Sequence, residues 1–151
     1  FALVFVLALG AVGLALATQH LWDMQPCPWC VLQRLIFVLV GLAAALGLLW
    51  RSRSGAWTAV LAISVLSTLG AAAALWQHFV AATSASCNLT LADRIMSGLQ
   101  LDALLPGVFA ATAACADAKV NLLGVPYEFW SLALFLALDV LAFAAVLRRA
   151  A

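Results

Sequence analysis

Charge is scarce in this sequence. Asp, Glu, Lys and Arg make up 9% of 151 residues and hydrophobic residues 68%, where a soluble globular domain is roughly a quarter charged and about half apolar. The deficit excludes a water-facing surface over most of the chain, and the mean hydropathy of +1.16 describes a protein built for lipid. No basic run suggests nucleic acid, and a net charge of +1 selects no partner. No haem or flavin signature is present, and no His follows Cys30 as covalent haem attachment requires. There is no internal repeat and no soluble second domain. Cysteine is also sparse, at four residues, so the position of each one matters.

What the sequence has instead is long apolar runs, at about residues 1–22, 31–50, 56–79 and 129–147. Runs of about 20 residues at 1.5 Å per residue cross a hydrocarbon core of roughly 30 Å, and the backbone there must satisfy its own hydrogen bonds, so each run is predicted to be a helix. The fold class expected is an all-α integral membrane protein, a bundle of four transmembrane helices in one domain. Gly10, Gly13, Gly41, Gly47 and Gly70 allow close helix contact. Trp22, Trp50, Trp57, Trp76 and Trp130 fall near span ends, where interfacial aromatics belong. The chain opens at Phe1 inside an apolar run and reads as trimmed upstream. Residues 1–17 with Ala15-Leu16-Ala17 mimic a signal peptide, but the run continues to Trp22, and cleavage would leave the first cysteines at a bare terminus.

Arginines set the orientation. The connection at about 51–55, Arg51-Ser52-Arg53-Ser54-Gly55, and the tail at Arg148-Arg149 are basic. The positive-inside rule puts both, and both termini, in the cytoplasm. The loops at about 23–30 and 80–128 then face outward, with Cys27 and Cys30 in the first and Cys87 and Cys115 in the second. That side is an oxidising compartment, a bacterial periplasm outside the inner membrane, where disulfides persist. In the long loop, residues 90–99 read as a short amphipathic helix, with Thr90 and Asp93 as a capping pair. Its Ile95, Met96 and Leu99 either rest on the bilayer or pack on the bundle top. Leu105-Pro106-Gly107 breaks the loop before Cys115. Asn88-Leu89-Thr90 matches a glycosylation sequon, which carries no weight in a bacterium.

Cys27 and Cys30 have the spacing of reversible dithiols and of metal knuckles. A disulfide here closes so small a ring that it constrains the unfolded chain little. A zinc site would need Cys87 and Cys115 as the second knuckle, and these lie far apart in the chain. Spacing and compartment favour redox chemistry and no metal. Cys30 is expected at or just before the start of the second helix, where the helix dipole favours a thiolate. Arg34 lies four residues on and faces the same way. Its alternative is a snorkelling anchor, but a charge within a span costs a few kcal/mol and tends to be functional. Gln33 stands at the same level, as a hydrogen-bonding or merely interfacial residue. Cys87 and Cys115 form either one structural disulfide or a second redox pair that relays by thiolate attack.

No cysteine lies in mid-membrane or on the cytoplasmic side, so electrons cannot cross by thiols. A mobile apolar acceptor arriving through the lipid fits best, and a quinone is the obvious class. His78, at the outer end of the third span, either hydrogen-bonds such an acceptor or is an interfacial histidine satisfied by water or backbone. Asp139 reads as a packing or cytoplasmic-edge residue rather than a proton relay.

These features together resemble the bacterial DsbB family. The resemblance covers nearly the whole chain. It rests on the four spans, Pro26-Cys27-Pro28-Trp29-Cys30, Arg34, the pair Cys87 and Cys115 in a long second outer loop, and Gly124-Val125-Pro126 before Trp130. The family reoxidises a DsbA-like periplasmic dithiol oxidase and passes electrons to a membrane quinone, ubiquinone or menaquinone, and so to the respiratory chain. The resemblance implies that the partner's thiolate attacks Cys87, that Cys115 then attacks Cys27, and that Cys30 is freed as the thiolate facing the quinone. Arg34 would steady that thiolate and the reduced quinone, and His78 would lie near the quinone. Gln33 stands where the family can carry an acidic residue, so a proton role there does not transfer. Two other readings are a quinone-linked enzyme like vitamin K epoxide reductase, in which the quinone-proximal Cys-x-x-Cys falls late rather than first, and a membrane scaffold with structural disulfides or zinc.

Overall fold

The structure, a computed structural model, describes residues 1–50, 52–83 and 90–150. Among them, four helices are long and apolar enough to cross a membrane. They are α1 (Ala2–Leu21), α2 (Pro28–Leu49), α3 (Arg53–Trp76) with a π-helical extension at Gln77–Ala81, and α7 (Tyr127–Ala150). Between the last two lie α4 (Leu91–Gly98), α5 (Leu101–Leu104), α6 (Pro106–Phe109) and a two-stranded hairpin, β1 (Asn121–Leu122) and β2 (Val125–Pro126). The architecture is an all-α membrane bundle, and the protein is a multi-pass membrane protein.

α2 is the central helix. It packs most extensively on α3 and on α1, and α3 packs equally closely on α7, whereas α1 meets α7 along a much shorter stretch. That weak fourth wall matters for the site. The core is built of small and flat groups. Phe37 of α2 stacks on Phe135 of α7 with ring centroids 4.0 Å apart. Gly70 of α3 makes room for that stack, because a Cβ there would stand 2.3 Å from the Phe135 ring. At Gly47 a Cβ would come within 2.9 Å of Ala59, so α2 and α3 approach closely there too. Gly10 and Gly13, expected to do the same, meet nothing within 4 Å. Their face of α1 is turned away from its neighbours.

Apolar side chains such as Leu3, Val6, Leu42, Leu46, Leu61, Leu69, Leu136 and Val140 are exposed on the bundle's outside, as a lipid-facing surface requires. Trp22 and Trp50 cap the C-terminal ends of α1 and α2, Trp57 and Trp130 lie within the first two turns of α3 and α7, and Trp76 ends α3. Asp139 lies midway along α7 and accepts a hydrogen bond from Ser64 Oγ of α3 at 2.5 Å. It is therefore a link between helices and not a residue of the membrane edge.

The second and fourth helices start earlier than the apolar runs suggested. Pro28 occupies the first helical position of α2, where its missing N–H costs nothing and its φ is already helical. The Cys27 sulfur caps the helix by accepting from Cys30 N–H at 3.3 Å. Cys30 thus lies inside the first turn rather than ahead of it. α7 begins at Tyr127 directly after the hairpin, whose turn residues Leu123 and Gly124 both have positive φ, as a two-residue primed turn demands. The expected loop helix is present as α4, with a reciprocal box between Thr90 and Asp93. Its Ala92 and Met96 are buried, α4 packs on α2, and Leu91 and Leu99 stay exposed.

Candidate functional site

The N-terminus of α2 gathers the chemistry. Pro26 and Pro28 hold the chain extended at Cys27, and the carbonyl of Pro26 accepts from the N–H groups of Thr112 and Ala113 at 3.0 and 3.3 Å. Those two bonds fold the long loop back over the first loop and deliver Cys115. The Cys115 sulfur is hydrogen-bonded to Cys27 and also accepts from Trp29 N–H. The Cys27 and Cys30 sulfurs lie 2.8 Å apart, and all three cysteines are free thiols. Three sulfurs therefore form a row, from the loop through Cys27 to Cys30. Cys87, the fourth expected catalytic cysteine, lies outside the described residues.

The row is electrostatically graded. Hydrogen bonds to Cys115 and then Cys30, together with burial, push the Cys27 thiol well above its ordinary range. The hydrogen bond from Cys27 holds the Cys115 thiol below that range against the effect of burial, with help from Trp29 N–H. Cys27 thus keeps its proton and lends it, and Cys115 is the sulfur better able to exist as a thiolate. Thiolate and not thiol is the attacking form.

Cys30 opens onto a cavity of about 380 Å³, within the range of small-molecule sites. Its walls are α1 (Ala11, Val12, Leu14, Ala15), α2 (Gln33, Arg34, Phe37), Gln77, Leu122 of the hairpin, and α7 (Tyr127, Trp130, Ser131, Ala133, Leu134). It occupies the gap left where α1 and α7 barely touch. Leu14 and Trp130, one from each of those helices, line it and are also exposed on the outer surface. The mouth therefore opens sideways, toward lipid.

Arg34 lines the cavity one turn below Cys30. It is buried, and its Nη1 donates to Gln19 Oε1 at 2.8 Å and to the Val108 carbonyl at 2.7 Å. It does not snorkel: these two bonds, from α1 and α6, tether it beside the sulfur. Gln33 donates to Gln77 Oε1 at 2.7 Å, and Gln77 donates to the Cys30 sulfur at 3.2 Å.

His78 is placed differently from the expectation. It does not line the Cys30 cavity. Its Nδ1–H donates to the Glu128 carboxylate at 2.6 Å, and its ring lies against Phe79 and Phe129. Adjacent helical residues point roughly 100° apart, so the turn that aims Gln77 at Cys30 aims His78 elsewhere. Gln77, Tyr127 and Gln19 are the site residues the sequence reading passed over. The one available signal was a polar side chain near the end of an apolar run, inside it for Gln19 and Gln77 and just before it for Tyr127.

Residues 1–145 match the family described as "Disulfide bond formation protein DsbB". The chain is 33% identical to the disulfide bond formation protein B of Ralstonia nicotianae, over 99% of this chain and 93% of that one. It is 32% identical to the disulfide bond formation protein B 1 of Pseudomonas savastanoi pv. phaseolicola, over 95% and 86%. It is also 32% identical to the disulfide bond formation protein B of Alkalilimnicola ehrlichii, over 99% and 90%.

Proposed function

The chain belongs to the DsbB family of membrane disulfide bond formation proteins, and on that premise we propose that it reoxidises a DsbA-like dithiol oxidase in the periplasm and passes the electrons to a membrane quinone. The observation that carries this reading is the row of sulfurs ending at a lipid-facing cavity. In the proposed orientation Cys27, Cys30 and Cys115 face the periplasm across the bacterial inner membrane, and Arg53 and Arg148 face the cytoplasm.

The exchange balances as follows. A thiolate of the reduced partner attacks Cys87 in a Cys87–Cys115 disulfide and frees the Cys115 thiolate. Cys115 attacks Cys27 in a Cys27–Cys30 disulfide and frees Cys30. The partner's second thiolate closes the partner's own disulfide and releases Cys87. Cys87 then attacks Cys115 and releases Cys27. Cys27 and Cys30 finally rejoin, losing two electrons. When bound, a quinone supplies the sink for those two electrons and takes up two protons. Cys115 is suited to its step by lying against Cys27.

The residues present fit such an acceptor. The lining is mostly aliphatic and aromatic, and Arg34 offers a fixed positive charge where electron density would accumulate. A DsbA-type oxidase is itself strongly oxidising, at about −120 mV. Exchange with an ordinary disulfide would run uphill, so the acceptor must draw the relay forward.

The test is quinone-dependent oxidation of a reduced DsbA-like protein by the purified chain. Cys30→Ser and Cys87→Ser should each abolish turnover, and only Cys87→Ser should prevent the mixed disulfide at the second loop. Full turnover with either variant would refute the relay.

A further inference from the structure

Two buried amides stand behind the Cys30 sulfur. Gln33 is 3% exposed and Gln77 is 6% exposed. A primary amide has one accepting end and one donating end. Gln33 gives its N–H to the Gln77 oxygen at 2.7 Å, which leaves Gln77 only its N–H to offer the sulfur, at 3.2 Å. The chain of bonds runs from α2 to the end of α3 and back to α2. A sulfur that meets a donor is favoured as the acceptor, which is the thiolate. Gln77 also opens the π-helical segment, and such local departures from α-helical register are frequent at functional sites.

We propose that Gln77 is a catalytic hydrogen-bond donor to the Cys30 sulfur and that Gln33 is the residue that positions it. The proposal deepens the reading given above and rests on it in one respect, that Cys30 is the sulfur delivering electrons. Arg34 supplies charge from one side, and Gln77 supplies a directed N–H from the other. Neither group needs to gain or lose a proton to hold the thiolate until an acceptor arrives. Gln33 never touches the sulfur; its effect passes wholly through the orientation of Gln77.

The experiment uses the full chain in detergent with Cys30 as its only cysteine (Cys27→Ser, Cys87→Ser, Cys115→Ser). The readout is the rate of alkylation by iodoacetamide at neutral pH, which follows the thiolate. Gln77→Met keeps length and removes the donor, and it should slow alkylation by about tenfold, the effect of one hydrogen bond to a charged group. Gln33→Met should slow it several-fold, and should add nothing when combined with Gln77→Met. An unchanged rate in Gln77→Met, or a Gln33→Met effect that persists in the double variant, would overturn the proposal. The same substitutions in a chain keeping only Cys115 should leave its rate unchanged. Equal slowing there would show a disturbance of the whole site and overturn the assignment to Cys30. No quinone is present, so the series stands or falls apart from the acceptor. Failure of the unsubstituted chain to reduce a quinone would sink the acceptor reading alone.

Discussion

Cys27 and Cys115 touch, yet their protons are held with opposite firmness. The difference gives a prediction read from reactivity. In the reduced Cys87→Ser chain, Cys115 should be alkylated at least about tenfold faster than Cys27 at neutral pH, as mapped by peptide mass. The ratio should narrow as pH rises past the ordinary thiol value of about 8.5. Linkage follows the same signs. The Cys115 contribution to stability is present above the ordinary thiol pKa and lost as pH falls through its lowered value. The Cys27 contribution is present below that ordinary value and lost as pH rises toward its raised one. At this scale the sequence was legible where chemistry and spacing coincide. Cys27 with Cys30, and Arg34 one turn on, can be found by counting. Gln77 cannot, because its partners lie 44 and 47 positions away and meet it only once two helices are packed. Cys115 was legible as a redox candidate, but its seat on the α2 N-terminus depends on the two backbone bonds to Pro26.

Among the elements, α3 controls the site from behind. Gly70 lets the Phe135 ring lie on Phe37, and Phe37 is part of the cavity wall. Phe135 is fully buried and has nowhere to retreat. Gly70→Ala should therefore cost about 1–3 kcal/mol through overpacking, seen as a lower midpoint of thermal unfolding in detergent. It should also raise the KM for the proposed quinone acceptor more than it lowers kcat. A variant with unchanged midpoint and KM would show that α3 and α7 can part without cost. The extents of the helices were readable from apolar runs to within a few residues. Their starts were not, because Pro28 and the Leu123–Gly124 turn set them locally, while hydropathy averages over a whole span. The π-helical segment, which Gln77 opens, left no trace in hydropathy.

For the whole molecule, Arg53 and Arg148 lie at the end of the bundle opposite Cys27, Cys30 and Cys115. With all native cysteines replaced, a cysteine placed at Lys119 should react with a membrane-impermeant maleimide added from the periplasmic side. One placed at Ser52 should react only after the membrane is opened. Labelling in the reverse order would invert the proposed orientation. The number of spans and their loops could be read from the linear pattern. The gap between α1 and α7 could not, since it depends on which helices fail to touch, and no local pattern encodes a missing contact.

If the acceptor is the proposed quinone, that gap has a kinetic consequence. A doorway between two helices draws its visitor from a two-dimensional fluid, so arrival is set by how crowded the membrane is with that visitor and not by any aqueous concentration. Diluting the bilayer with inert lipid at constant total quinone should therefore slow turnover, even though every protein contact is left as it was.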